Sequence, residues 1–333
     1  MNEDIMADVK ISVIGTGHLG SIHVKLWKNT PGAKLEGIFD IDSEKAFALA
    51  QEHGCRHFDT IDELIENSDA VTIAAPTSEH YEIAKKCIEY HCHCLIEKPI
   101  TATHDEAARL IEWAKNNNTL IQVGHVERFN PAIAALKDYE LDPMFIEAHR
   151  LSQFKPRAID VSVIHDLMIH DIDIMLWLVK SKVKSIDANG VALLTDAVDI
   201  ANARITFDNG AVANLTASRI SANPMRKMRL FQRNSYLSID FAERNVEIFR
   251  LTDEGEEAPQ SSVPATMLGT LEAGSKNKSI YFQKPPVPET NAIADEQAAF
   301  VEAISKGSPV PVGAEEAAEA LRIAEEINSM IKF

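Results

Sequence analysis

Lys10-Ile11-Ser12-Val13-Ile14-Gly15-Thr16-Gly17-His18-Leu19-Gly20 is the stretch on which the fold of this chain turns. A short apolar run that ends in G-x-G-x-x-G is the entry to a dinucleotide-binding βαβ unit. Gly15 permits the tight strand-to-helix turn, Gly17 lets a pyrophosphate approach the backbone, and Gly20 lets the following helix pack close to the sheet. The helix N-terminus then offers N–H groups and a favourable dipole to the phosphates. The surroundings support this reading over an ordinary strand-loop-helix. Val9, Ile11, Val13 and Ile14 read as a buried strand, and Ile22, Leu26 and Trp27 recur at helical spacing. A second strand, Leu35 to Asp40, ends in a carboxylate about 20 residues on, where the motif expects a ribose ligand. Asp40 accepts from both ribose hydroxyls of NAD and repels the 2′-phosphate of NADP, which favours NAD. Asp42 lies close enough to compete for the same ribose.

The rest of the composition bounds the partners. The chain has 333 residues, 45% hydrophobic and 25% charged, an ordinary globular balance long enough for two domains. A formal charge of −17 leaves no basic face for nucleic acid or an anionic membrane. An anionic small substrate needs only a local Arg or Lys. No apolar run reaches transmembrane length and no signal-peptide pattern opens the chain, so the expected location is cytoplasmic. His91-Cys92-His93-Cys94 has the look of a metal tract. On a strand its histidines and cysteines point to opposite faces, and no second cluster is evident, so reduced thiols are expected and no metal.

Strands and helices alternate over the first ~125 residues at the spacing of βαβ units. Ser43 to His53, the Thr77/Ser78-capped segment through Ile88, and Thr103 to Trp113 (opened by a capping box at Thr103 and Glu106) read as helices. Ala70 to Ala75, Cys92 to Ile96 and Leu120 to Val123 read as strands. The second half changes character. Met144 to Ser152 is a strand, Val163 to Val179 an apolar helix, and Ile186 to Phe249 a run of antiparallel strands. In that run Asp208-Asn209-Gly210 makes a short hairpin loop. Asp253 to Ser275 reads as an exposed loop. Asn291 to Ser305 and Gly313 to Ile331 close the chain as Ala-rich helices. The expected fold is therefore α/β. Residues 1–125 form a doubly wound parallel Rossmann sheet, with helices 291–333 packing back near it. Residues 126–333 form a substrate-binding and oligomerisation domain with a large, mostly antiparallel sheet.

Three segments set polar residues in apolar surroundings. Glu97-Lys98-Pro99 closes a parallel strand at the end where open α/β sheets place ligands. Pro99 fixes a turn, through a trans or a cis bond. Lys98 either donates to a substrate hydroxyl oxygen, takes its proton, or is a surface lysine before a turn. In the second segment Asp166, His170 and Asp173 fall at i, i+4 and i+7, one face of a helix. Carboxylates and an imidazole on so apolar a helix are an acid/base face or a satisfied core network, with metal binding a minor third reading. In the third, Gly124 to Pro131, Arg128 is a candidate for a phosphate or carboxylate, and Asn130 or His125 for a sugar hydroxyl. The bland alternative is a linker in which Arg128 pairs with an acid. Arg157 is a further anion-binding candidate.

Taken together in order, these residues resemble the Gfo/Idh/MocA family. The resemblance rests on Gly15 to Gly20, Ala75-Pro76-Thr77 with His80, Glu97 to Pro99, Asp166-x-x-x-His170, and the Glu-x-x-x-Phe helix at Glu296 and Phe300. It implies a Rossmann domain followed by a sheet domain that supports homodimers or homotetramers. It also implies Lys98, Asp166 and His170 as the catalytic group, with Gly15, Gly17, His18, Leu19 and Gly20 on the pyrophosphate and Asp40 on the ribose. Pro76 and Thr77, with His80 and Glu97, would serve the nicotinamide side, and Lys98, Arg128, Asn130, Arg157 and His170 would meet substrate. The tract Val123 to Pro131, with the helix Asp160 to Leu178, is most similar to members that oxidise C3 of UDP-N-acetylglucosamine or related nucleotide sugars. The expected activity is hydride transfer from a secondary sugar hydroxyl to NAD. The alternatives are inositol, another polyol or biliverdin as substrate, or a sugar-sensing regulator without turnover.

Overall fold

The computed structural model describes residues 8–156, 161–253, 263–273 and 276–332. The chain divides into two units, 1–126 with 291–322, and 127–290 with 323–333.

The first unit is built on a parallel sheet of β1 (Val9–Ile14), β2 (Ala33–Phe39), β3 (Arg56–His57), β4 (Ala70–Ile73), β5 (His93–Glu97) and β6 (Ile121–Gly124). Their order is β3-β2-β1-β4-β5-β6. Strand order reverses between β1 and β4, the place where such sheets open a crevice for ligands. The crossovers are α1 (His18–Trp27), α2 (Ser43–His53), α3 (Ile61–Glu66), α4 (Thr77–Glu89) and α5 (His104–Asn116). α5 begins with the expected capping box, Thr103 and Glu106 exchanging side-chain-to-backbone bonds. α4 departs from expectation at its start. Its cap is Pro76, with φ −56°, and Thr77 is already helical, because proline fixes the entry dihedral without needing a hydroxyl acceptor. The short β3 and α3 escaped the sequence reading, since two and six residues carry too little periodicity to register. α8 (Ala292–Lys306) completes this unit. Its Phe300 and Val301 join Val9, Ile11, Val13, Val24, Trp27 and Ile38 in one buried cluster.

The second unit is a nine-stranded sheet among the described residues. Its members are β7 (Phe145–Leu151), β8 (Val183–Val191), β9 (Ile200–Phe207), β10 (Val212–Ser218), β11 (Met225–Phe231), β12 (Ser235–Asp240), β13 (Asn245–Asp253), β14 (Thr266–Ala273) and β15 (Lys276–Gln283). They are ordered β14-β15-β13-β12-β11-β7-β10-β9-β8, antiparallel throughout except for the β7–β10 pair. The expected exposed loop from Asp253 to Ser275 is corrected in part, residues 254–262 and 274–275 lying outside the described residues. Residues 266–273 pair antiparallel with β15, and only the cross-strand partner, which sequence spacing does not display, makes them a strand. The hairpin at Asp208 to Gly210 is present, with Gly210 at φ +87°.

One sheet face is apolar and buried, carrying Ile146, Ala148, Ala203, Ile205, Leu215, Met228, Leu230 and Leu237. α7 (Ile169–Val179) covers this face along β7 and β10, and the short helix α6 (Pro131–Ala134) lies on β12. The helix expected over Val163 to Val179 starts with one π-helical turn, Ile164–Met168, in which the Ile169 N–H reaches back to the Ile164 carbonyl. The other face carries a row of aromatic rings. Phe145, Phe231, Tyr236, Phe249 and Phe282 occupy paired positions on five strands, with successive ring centroids 5.8, 4.9, 5.6 and 5.2 Å apart. α9 (Ala314–Met330) crosses the division between the units at Arg322/Ile323.

Candidate active site

The C-terminal ends of β1, β4, β5 and β6 lie side by side, so the turns that follow them are neighbours: Gly15 to Gly17, Ala74 to Thr77, Glu97 to Pro99, and His125. At the β1 turn the three glycines do different work. Gly15 has φ +92°, and a Cβ there would lie 2.7 Å from the Ala74 and Ala75 backbone. A Cβ on Gly20 would come within 1.8 Å of the Gly15 carbonyl oxygen, which fixes how closely α1 approaches the turn. Gly17 has open space where its Cβ would be. As the cap of α1, Gly17 provides no side-chain acceptor for the first N–H groups of the helix, at whose start stand His18 and the exposed Leu19. A cavity of about 570 Å³ opens here, lined by Ile14, Gly15, Gly17, Asp40, Ala75 and Pro76 among others. A bare turn, an uncapped helix start and an apolar slot of this size fit a dinucleotide.

Asp40 stands at the end of β2. Its Oδ2 accepts from the N–H and hydroxyl of Thr16, and its Oδ1 accepts from the Asp42 N–H at 3.0 Å. Burial opposes its ionisation, but these bonds outweigh it and hold the carboxyl below the usual range. Asp42 is engaged otherwise, capping α2 through the Lys45 N–H. Of these two aspartates it is Asp40 that lines the cavity, whose wall also carries Glu79 and Lys45. His80 is buried, its Nδ1 2.9 Å from the Pro99 carbonyl and its Nε2 3.0 Å from the Ala75 carbonyl. It therefore ties the β4 turn to the β5 turn. Burial lowers its pKa against the pull of those carbonyls. The Lys98–Pro99 bond is cis. Glu97 Oε2 accepts the Lys98 N–H at 3.2 Å, and Oε1 meets His23 Nε2 at 2.8 Å. Lys98 itself is half-buried.

In the second unit the four acidic and imidazole groups of the 166–173 segment separate into two kinds. Asp171 and Asp173 are buried in ion pairs. Asp171 is held bidentately by Arg150, with both bonds 2.9 Å, and Arg150 also donates to Glu127 at 2.8 Å. Asp173 receives Arg128 at 2.8 and 2.6 Å. Burial pushes the Asp171 carboxyl up in spite of Arg150, while Glu127 is held below its usual range. Asp166, in the π turn, and His170, at the start of α7, remain half-exposed. Asp173 therefore leaves the face expected to hold Asp166 and His170 and belongs to the core network. Arg128 spends its fork on Asp173, so the linker alternative describes it better than an anion-binding role. Asn130 caps α6 and donates to Glu127 and to the Phe241 carbonyl, again a structural use. Arg157 lies outside the described residues.

Several residues of these networks escaped the sequence reading: His23, Gln297 and Arg150 foremost. The available signal was faint. His23 breaks an apolar helical face between Ile22 and Val24, and Arg150 takes an inward position in the alternation of β7.

Known proteins agree with this architecture. Residues 9–125 match the model of the oxidoreductase family with an NAD-binding Rossmann fold, and residues 138–235 match the GFO/IDH/MocA C-terminal domain. The chain is 42% identical over 245 residues to UDP-N-acetylglucosamine 3-dehydrogenase of Acidithiobacillus ferrooxidans, covering 73% of this chain and 78% of that one. The chain belongs to the Gfo/Idh/MocA family of oxidoreductases. A crystal structure of the Acidithiobacillus enzyme superposes with a TM-score of 0.86 at 34% identity, over 98% of both chains. The scyllo-inositol 2-dehydrogenase (NAD(+)) of Bacillus subtilis is 32% identical over 233 residues, 64% of this chain and 68% of that one. The chain is thus an NAD(P)-binding dehydrogenase of a family that acts on sugars and polyols.

Proposed function

We propose that this dehydrogenase oxidises the C3 hydroxyl of a UDP-N-acetylhexosamine with NAD. The observation that carries this reading is the similarity to the UDP-N-acetylglucosamine enzyme, which runs through both units rather than through the nucleotide-binding half alone. Bound at the β1 turn, NAD would supply the hydride acceptor. Gly15, Gly17 and the start of α1 would hold its pyrophosphate, and Asp40 its ribose. The charge of Asp40 disfavours the 2′-phosphate of NADP.

Lys98, Asp166 and His170 are the proposed catalytic group. In this reading His170 takes the proton of the substrate hydroxyl, directly or through a water. Lys98 donates to the oxygen as charge develops on it, and Asp166 orients the pair electrostatically. Lysine is also competent as the base, so the two roles are exchangeable. The Glu97 carboxylate and the His80 ring fix the peptide that carries Lys98. With Arg128 and Asn130 committed inside their own unit, the anionic part of the substrate needs other donors.

Cys87, Cys92 and Cys94 are buried thiols, in keeping with a reducing, cytoplasmic setting. The aromatic row on the open face of the nine-stranded sheet suits a second copy of this chain, giving a homodimer or homotetramer. The test is a substrate panel followed by NADH absorbance. UDP-N-acetylglucosamine should be oxidised with a kcat/KM well above that of scyllo- or myo-inositol. Preference for an inositol would move the chain to the polyol branch, and NAD binding with no turnover of any substrate would favour a regulator.

A further inference from the structure

Behind the strand end that carries Lys98 lies a buried polar cluster of which Glu97 alone enters the hydride transfer outlined above. It gathers His23 of α1, Glu97 of β5, Gln122 of β6, and Glu296 and Gln297 of α8. His23, Gln122, Glu296 and Gln297 are each 0% exposed.

Its hydrogen bonds can be followed atom by atom. Gln297 Nε2 donates to the His23 carbonyl at 3.2 Å and lies 3.0 Å from His23 Nδ1. A carbonyl only accepts, so this contact fixes the orientation of the amide and makes Nδ1 an acceptor. The ring proton then sits on Nε2 and is donated to Glu97 Oε1. With the Lys98 N–H on its other oxygen, Glu97 is engaged as an ionised acceptor. Burial opposes that charge, but His23 and Lys98 outweigh it and hold the carboxyl below its usual range.

Glu296 breaks this pattern. Neither of its carboxyl oxygens meets a donor among the described residues, and neither does Gln122 Oε1. The Gln122 amide is held beside Glu296 by its own bond from Nε2 to the Glu296 carbonyl, 2.9 Å long. Gln122 and Gly124 share one face of β6, and Glu97 is the cross-strand partner of Gly124. The Glu97 carboxylate covers that glycine so closely that a Cβ there would lie 2.9 Å from Oε2. Three oxygen-bearing groups thus gather on one side of the sheet, Glu97 with donors on both oxygens and the Glu296 carboxyl and Gln122 Oε1 with none among the described residues. A second buried carboxylate charge there would be unpaired and repelled by Glu97. One proton on Glu296 removes the charge and creates a donor in a region where Gln122 Oε1 is a buried acceptor with none among the described residues. Burial, reinforced by the charge of Glu97, pushes the Glu296 carboxyl well above the ordinary range.

We propose that Glu296 is held as a neutral acid and serves as a positioning residue, donating to Gln122 and leaving a single negative charge, on Glu97, beside Lys98. The charged or titratable groups around it are Glu97 and Lys98 at the β5 end and His23 on α1. A second charge in this pocket would hold the Lys98 ammonium more tightly and move the pH at which Lys98 exchanges a proton. Only this clause rests on the dehydrogenase reading.

The proposal is tested on the full chain with Glu296→Gln, which keeps a neutral donor, and Glu296→Leu, which removes it. The first readout needs no activity. A folded protein that keeps a proton which the unfolded chain releases loses stability as pH rises above the usual carboxylate range. The melting temperature of Glu296→Gln relative to wild type should therefore climb between about pH 5 and about pH 8. In the infrared, wild type at neutral pH should show a protonated-carboxyl band that Glu296→Gln lacks. A falling or level melting difference, or no such band, overturns the neutral acid. The second readout is the pH profile of NADH formation. Glu296→Leu should lose about tenfold in kcat and displace the profile, while Glu296→Gln should restore both. A profile that moves in Glu296→Gln overturns the positioning role. If no substrate is turned over, the dehydrogenase reading fails while the melting and infrared results still decide the protonation state.

Discussion

At the scale of single residues, the nucleotide-binding turn shows why three glycines in one motif are not interchangeable. Two of them fill spaces in which a Cβ would strike backbone, and the middle one faces open space. The positive φ of Gly15 and the contact of Gly20 with the Gly15 carbonyl are local, set by a strand feeding directly into a helix, and for that reason the motif is legible from the residues alone, although the Ala74 and Ala75 backbone that also crowds Gly15 belongs to the β4 turn. Lys98 is different. Its place at the end of β5 follows from the parallel sheet, but the peptide that carries it is held by the adjoining Glu97 and, from other elements, by His80 and by His23 through Glu97. Replacing Lys98 with Met should leave NAD affinity, measured by calorimetry, near wild type. It should lower kcat by roughly 10²–10⁴, the span associated with losing a positioned acid or base. Turnover within a few-fold of wild type would remove Lys98 from the mechanism.

At the scale of elements, the helix carrying Asp166 and His170 owes its carboxylates to two separate needs. Asp171 and Asp173 lock it to Arg150 on β7 and to Arg128 in the segment that leads from β6. Breaking one such buried pair from one side leaves an uncompensated charge, a loss of about 3–5 kcal/mol. Helical spacing announces that 166, 170 and 173 share a face, but the π turn and the placement of the arginines decide which of them meets solvent. A second carboxylate shows the same logic in a loop. Asp199 accepts the N–H groups of Leu193, Leu194 and Thr195 and the Thr195 hydroxyl. Burial opposes the charge, yet these donors lower the carboxyl from 3.8 to about 2. The folded state therefore stays unprotonated where the unfolded chain already binds a proton. The stability from Asp199 is complete above 3.8 and drains away as pH falls through about 2. Urea unfolding of Asp199→Asn against wild type should show the gap between them close as pH is lowered through that interval. A gap independent of pH would mean that the loop does not depend on the charge.

At the scale of the whole molecule, the nine-stranded sheet buries one face under its own helices and leaves the other with five aligned aromatic rings. Phe231, 38% exposed, sits in the middle strands of that row. If this face receives a second copy, Phe231→Glu places a charge in the contact and should shift the protein to monomers in sedimentation velocity without loss of its β-sheet signal. A monomeric wild type, or a variant whose assembly is unchanged, would release this face from that role.

Where an element is specified by neighbours along the chain, the amino-acid order was enough. The glycine turn, the capping box at Thr103, the alternation of β and α in the first unit and the hairpin at Gly210 all belong to this kind, because turn geometry and helix capping involve residues a few positions apart. What the order could not carry is who stands opposite whom across the sheet and between packed elements. β14 became a strand only through β15, and Arg128 became a structural cation only through Asp173. Glu296 became a buried acid only through Gln122 and Glu97, since burial and electrostatic coupling depend on separation in space.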